Sequence, residues 1–502
     1  MPVDGGDESA LQFAVDSMVP ASRLAASLAY WESVYARKEV VTSQALVEAT
    51  TNVVRNGIPL EEIARLLPFN EAPTLPNRRC LRFGTHGIHE YRGKFFPQLV
   101  RALLNVAEVE KGGLVLDPMC GSGTTIVESS SAGISALGAD INPLSVLMAR
   151  TKTDMLALDS DRLTEAYERL RGTLLTEQSL PTGGALSYFS SLPAADQEYL
   201  KGWFSEQVLR DLDRIMSTIQ GEPAEVIRRF FTLSLSNIIR SVSWQKLDDL
   251  RVRKEVRLDE EIDPVKEFLE ELGRSVRTVL AALRQRGPLR KLRYEIAEHS
   301  ATDLLSRWSD FKGKVDVVVT SPPYATALPY LDTDRLSLSY LGLLTRPEQR
   351  RRDAAMIGNR EITDRGRREH WDSFLANRES LPASVISLVE RIDRLNSQGD
   401  VGFRRKNLSA LLGRYFLDMR NVMLGCKQLL RRSGRAYFVV GNNSTTAGGT
   451  VVQIETAALL GDIAKQVGFR LEESISMEML TSRDIFRRNA MASEVILCLR
   501  RP

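Results

Sequence analysis

The sequence predicts an α/β protein organised around a parallel sheet, and three features carry that prediction. LVLDPMCGSGTT at 114–125 is an apolar run that ends in Asp117-Pro118 and breaks into Gly121-Ser122-Gly123. This is the pattern of a buried parallel strand passing through a tight turn into a helix. VVVTSPPY at 317–324 repeats the strand-then-turn design but closes in two prolines and a tyrosine. Further strand-like runs at 136–140, 294–305 (running into a loop), 434–444, 469–478 and 493–500 are separated by segments with helical spacing, AALLGDIAKQVG at 457–468 among them. That alternation is the signature of an α/β sheet.

The first turn suits a bound ligand, because glycines remove side-chain bulk and the helix opening at Thr124-Thr125 points free N–H groups outward. In the second, Pro322 and Pro323 fix the backbone and remove two N–H donors. A rigid row of acceptors remains at Ser321 and Pro322 beside the aromatic face of Tyr324, which fits a planar amine such as a nucleobase amino group. Together the strings resemble the S-adenosylmethionine-dependent amino-methyltransferases of DNA. DPMCGSGTT resembles the family's cofactor loop (Asp117, Pro118, Cys120, Gly121, Ser122, Gly123, Thr124, Thr125), and TSPPY its catalytic loop (Ser321, Pro322, Pro323, Tyr324).

The resemblance implies a Rossmann-like seven-stranded methyltransferase sheet with a terminal antiparallel hairpin, and it extends to other residues. Asp140 lies about twenty residues beyond the glycine turn, where an acidic residue bonds ribose hydroxyls; the alternative is a surface aspartate. THGIHEYRGKFFPQLV at 85–100 resembles the motif that closes over the methionine end of the cofactor, with His89, Tyr91, Lys94, Phe95 and Pro97 at the matching positions. Asp303 matches the residue that contacts the cofactor adenine and equally suits a helix cap. His86 and His89 have no cysteine or histidine cluster around them, so no metal is expected. Ser at position 321 resembles the cytosine-N4 branch, whereas adenine-N6 enzymes more often carry Asp or Asn. The glycine loop precedes the catalytic loop, unlike the order in many Ser-Pro-Pro-Tyr enzymes, so adenine-N6 methylation stays open. Guanine-N2 methylation of RNA and a non-catalytic DNA-binding scaffold are further alternatives.

At 502 residues the chain exceeds one usual core, and 43% hydrophobic content can fill several. Residues 1–80 read as a helical N-terminal extension, 81–150 as the cofactor half of the core and 151–290 as a helical insertion, a candidate for target recognition. Residues 291–345 carry the catalytic loop, 346–410 form an Arg-rich segment and 411–502 supply the C-terminal strands. In the insertion, the stripe at Phe230, Phe231 and Leu235 reads as core. Cys80, Cys120, Cys426 and Cys498 are scattered and fit reduced thiols. No apolar run reaches spanning length and MPVDGGDESA shows no signal pattern, so a cytoplasmic protein without membrane contact is expected.

The net charge of +3 does not by itself argue for nucleic acid, so distribution decides. Basic clusters occur at 284–293 and 404–406. A denser one comprises Arg346, Arg350, Arg351, Arg352, Arg360, Arg365, Arg367 and Arg368. Each is either a solvated face or a phosphate grip. The last has weak periodicity and reads as a mobile loop after the catalytic loop, ordering on DNA. DNA is the partner that the resemblance implies, with a cognate restriction enzyme as a candidate.

Overall fold

A computed structural model of the chain describes residues 84–91, 93, 96–176, 186–246, 253–257, 261–325, 330–360, 362–397, 402–478 and 493–502. The expected N-terminal extension 1–80, Cys80, Lys94 and Phe95 lie outside these.

A seven-stranded sheet organises the described residues. Its strands are β1 (Leu114–Asp117), β2 (Ser135–Asp140), β3 (Tyr294–Glu298), β4 (Val315–Thr320), β5 (Leu430–Gly441), β8 (Arg470–Glu478) and β9 (Ser493–Arg500). Their spatial order is β3-β2-β1-β4-β5-β9-β8. The first five run parallel, whereas β9 is antiparallel to both β5 and β8. This is the seven-stranded, Rossmann-like sheet with a terminal antiparallel hairpin. The order reverses between β1 and β4, where Val115 pairs Val317 and Leu116 pairs Val318. At such a switch point a crevice opens beyond the carboxyl ends of the strands. Both loops singled out in the sequence leave the sheet there.

The strands read as nearly continuous apolar runs because both faces are covered. Helix α1 (Pro97–Val106) packs with Val115, Val317 and Val439, and α2 (Thr124–Ser131) and α3 (Pro143–Asp154) join the same sheet. Between β2 and β3 the chain builds a helical insertion from α4 (Ser160–Thr176), α5 (Glu206–Gln220), α6 (Glu225–Ile238) and α7 (Pro264–Arg286). Caps mark their starts: Ser205 accepts from the Val208 amide, and Asp263 accepts from Lys266 with Pro264 following. Phe230, Phe231 and Leu235 are fully buried in the core that these helices share with Ile88, Leu144 and Met148.

Two expectations are corrected. The Arg-rich segment is not a weakly structured loop. It folds into α8 (Arg346–Ala355) and α9 (Asp364–Asn377), followed by α10 (Ala383–Ser397) and the long α11 (Leu408–Leu429). Thr345 and Glu348 close a capping box, and Thr363 caps α9. These caps supply the helix signal that a thin apolar stripe does not. The run 434–444 likewise is not one strand: β5 ends at Gly441, and Asn443–Ala447 (β6) pairs with Thr450–Ile454 (β7) in a separate two-stranded ribbon. Helix α12 (Thr456–Gln466) follows as expected. No helix among the described residues is long and apolar enough to cross a membrane.

Candidate active site

The glycine turn after β1 is shaped by two close approaches. Gly123, at φ 87°, caps α2, and a Cβ there would stand 2.7 Å from Ala149 Cα, so its absence lets α2 meet α3. Gly121, at φ 49°, lies under the Tyr91 ring, which a Cβ would meet at 3.0 Å. Asp140, ending β2, clamps this turn by accepting from the Gly121 amide (2.9 Å) and the Asn142 amide (2.8 Å). Burial raises its pKa from 3.8 to about 6 against the pull of those backbone donors.

The second loop is tied to the first through a buried carboxylate. Asp117 Oδ1 accepts from Thr320 Oγ1 (2.7 Å) and from the Met119 amide (3.2 Å), while Oδ2 is buried without a hydrogen-bond partner. Burial raises this carboxyl too, from 3.8 to about 6. Beyond Thr320, Ser321 Oγ donates to the Val439 carbonyl (3.0 Å), and Tyr415 OH donates to the Pro323 carbonyl (3.1 Å). Tyr324 OH donates to Glu494 Oε1 (2.9 Å), fixing the ring.

Both loops wall one cavity open to solvent. The glycine turn contributes Pro118, Cys120, Gly121, Ser122 and Thr124, and the second loop contributes Ser321, Pro322, Pro323 and Tyr324. Asp140, Tyr91 and the His299–Ala301 turn complete the walls, and Ala355–Ile357 after α8 lies across them. The cavity sits at the switch point between β1 and β4, the place where open α/β sheets bind ligands. Burial, with Asp140 and Asp117 nearby, pushes the Cys120 thiol well above its ordinary range, so it is no thiolate nucleophile.

Several expected cofactor residues stand elsewhere. His89 is buried off the cavity, its ring bonded to the Glu90 carbonyl (2.6 Å) and Ser236 Oγ (2.9 Å), and so ties its segment to the insertion. Pro97 is the buried first residue of α1, and Thr125 donates to the Val319 carbonyl (3.3 Å). Asp117 lies behind the wall and Gly123 in the helix contact. Asp303 is exposed, and the turn before it brings Ser300 and Ala301 to the wall instead.

The arginines divide as well. Arg346 turns inward, its guanidinium 4.1 Å from the Tyr199 ring centroid and its amide on Asp196 (3.1 Å). Arg352 donates to the Ile141 carbonyl (2.7 Å) and pairs with Glu298, fastening α8 over the ends of β2 and β3. Arg350, Arg351, Arg360, Arg365 and Arg368 are exposed, and Arg367 is half-buried. Thr320, Glu494, Tyr415 and the Met356–Ile357 wall were not anticipated. Among them only Thr320, directly before Ser321, left a signal in the sequence. No cluster of three or more His, Cys, Asp or Glu placed to hold a metal occurs among the described residues.

Residues 89–162 match the model of the UPF0020 family, described as an RMKL-like methyltransferase domain. The chain is 27% identical to Type II methyltransferase M.MvaI of Kocuria varians over 55% of its length, spanning 62% of that protein. It is 22% identical to Type II methyltransferase M.BsoBI of Geobacillus stearothermophilus over 77% of its length and 78% of that protein's. A shorter stretch, 10% of this chain and 14% of the relative, is 42% identical to a tRNA (guanine(10)-N2)-dimethyltransferase of Methanocaldococcus jannaschii. The seven-stranded sheet and the cavity at its switch point thus occur in a chain whose residues 89–162 match a methyltransferase-domain model and which is similar at low identity to Type II methyltransferases.

Proposed function

We propose that the protein transfers a methyl group from S-adenosylmethionine to the exocyclic N4 amine of cytosine in DNA. The observation that carries this reading is that the glycine turn and Ser321-Pro322-Pro323-Tyr324 wall the same cavity. The residues present fit the cofactor. Asp140 retains carboxylate lone pairs for ribose hydroxyls, the Ser300–Ala301 turn offers an edge for adenine, and Tyr91, packed on Gly121, supplies an aromatic wall beside the glycine turn. When bound, S-adenosylmethionine supplies an electrophilic methyl on a sulfonium.

The chain's own groups act on the amine. Its lone pair is delocalised into the ring, so it becomes nucleophilic when acceptors draw the amino hydrogens out of conjugation. Ser321 Oγ spends its proton on the Val439 carbonyl, which leaves its lone pairs to accept, and the Pro322 carbonyl is the second acceptor. Tyr324, held by Glu494, offers a face for the base to stack on. A base paired in a duplex cannot reach such a cavity and has to leave the stack. Positioning and preorganised dipoles then supply most of the rate. A restriction endonuclease of the same target sequence is a candidate partner for such an enzyme.

Nucleoside analysis of DNA incubated with the enzyme and S-adenosylmethionine tests the reading. N4-methylcytosine is expected. N6-methyladenine alone would overturn the cytosine assignment and leave amine methylation standing. The short match to a tRNA guanine-N2 enzyme supports a second reading, which methylated tRNA with unmethylated DNA would select.

A further inference from the structure

Above the carboxyl edge of the sheet, two pieces of chain that the proposed chemistry does not use are pinned together. The ribbon β6–β7 is outside the seven-stranded sheet, and its residues alternate. Ala447, Val452 and Ile454 are buried, whereas Ser444, Val451 and Gln453 are exposed and Thr446 half-exposed. The register pairs Ser444 with Gln453 and Thr446 with Val451. One outward face therefore carries two hydroxyls, one carboxamide and one isopropyl group, without a carboxylate. Beside it runs the turn Phe403–Lys406, with Arg405 and Lys406 exposed. A single buried amide holds both: Asn396 Nδ2 donates to the Arg405 carbonyl (2.8 Å) and its Oδ1 accepts from the Gly448 amide (3.1 Å). Val451 is 63% and Phe403 54% exposed, large apolar side chains left in water next to cations.

Both are joined in the chain to elements that hold the second loop. The ribbon follows β5 directly after Val439 and Gly441, and Val439 carries the Ser321 hydrogen bond. The turn leads into α11, whose Tyr415 holds the Pro323 carbonyl about two turns from the helix start. The ribbon's outward face combines neutral donors and acceptors with an isopropyl group, and cations stand at its flank. The major groove of DNA admits a two-stranded ribbon, where Gln, Ser and Thr read base edges and an apolar group meets the thymine methyl, while Arg and Lys hold phosphates.

We propose that the ribbon Asn443–Ile454 enters the major groove and reads the target sequence, with Arg405 and Lys406 gripping the adjoining phosphates. This rests on DNA being the substrate. Sequencing that detects modified bases in an expressing host defines the motif of the wild-type chain, and duplex oligonucleotides with and without that motif are then the probes. Gln453→Ala and Val451→Ala should lower the ratio of kcat/KM between motif and altered duplexes about tenfold, with S-adenosylmethionine affinity and melting temperature retained. Arg405→Ala/Lys406→Ala should weaken binding to every duplex alike and reduce the log-log salt slope by about two units. An unchanged motif and unchanged ratio in both ribbon variants overturn the readout, as does an unchanged salt slope for the grip. Unmethylated host DNA would instead overturn the proposed function, and the ribbon's role with it.

Discussion

Asp117→Asn isolates the carboxylate that links the two loops. In the folded protein Asp117 is 1% exposed, and burial raises its pKa from 3.8 to about 6. An acid whose folded pKa is raised binds more protons folded than unfolded between those values, so it lowers stability as pH rises through the window and adds no further loss above it. A shift from 3.8 to about 6 corresponds to at most about 3 kcal/mol. Asparagine keeps an oxygen to accept from Thr320 and Met119 but cannot ionise, so its packing differences shift stability equally at every pH. Guanidinium unfolding of both proteins between pH 4 and 8 should show wild type losing ground to the variant by about 2–3 kcal/mol from pH 4 to 7, then holding constant. Asp140 titrates in both and largely cancels. A difference that stays flat with pH would refute the claim that Asp117 is held ionised at a cost.

Asp140→Ala should weaken S-adenosylmethionine binding in calorimetry by tenfold or more and also lower the melting temperature, since the same carboxylate lines the cavity and accepts from the Gly121 and Asn142 amides. Tyr324→Ala should lose a stacking contact of about 1–3 kcal/mol to the target base in DNA-binding titrations, with cofactor affinity unchanged. Tyr324→Phe, which keeps the ring and loses the hydroxyl that donates to Glu494, should retain most of it. Arg350→Ala/Arg351→Ala should lower the salt slope of DNA binding by about one unit per lost phosphate contact. Arg352→Ala, by contrast, should also weaken cofactor binding, because Arg352 fastens α8 to the Ile141 carbonyl.

What the sequence made legible was whatever depends on neighbours in the chain. The strands before Asp117 and Ser321 are short apolar runs cut by Gly or Pro, and Asp140 lies one βαβ step beyond the first turn, so periodicity and spacing suffice for them. Which residues of a motif reach the cavity was not legible. Asp117 and Gly123 belong to the glycine motif yet do not line the cavity, and Asp303 follows the Ser300–Ala301 turn that does. Contacts across long separations were also hidden: nothing near Tyr324 announces Glu494, 170 positions away, or Tyr415 on Pro323. The polar run Asn443–Ala447 gave no strand alternation, and the Arg-rich segment was misread because its helices rest on caps more than on an apolar stripe.

The hydrogen bonds that assemble the cavity have a consequence for the order in which the chain can fold. Thr320 meets Asp117 across 203 positions, Arg352 meets Ile141 across 211, and Tyr324 meets Glu494 across 170. Each requires a large loop to close before the contact repays the lost chain entropy, which slows such pairings relative to local helices. On an emerging chain the helices of the insertion can settle early, but the Tyr324–Glu494 bond cannot form until β9 has been synthesised and has paired beside β5. The binding cavity is thus among the last parts of the molecule to take shape, and stalled or partly folded chains hold its two loops apart.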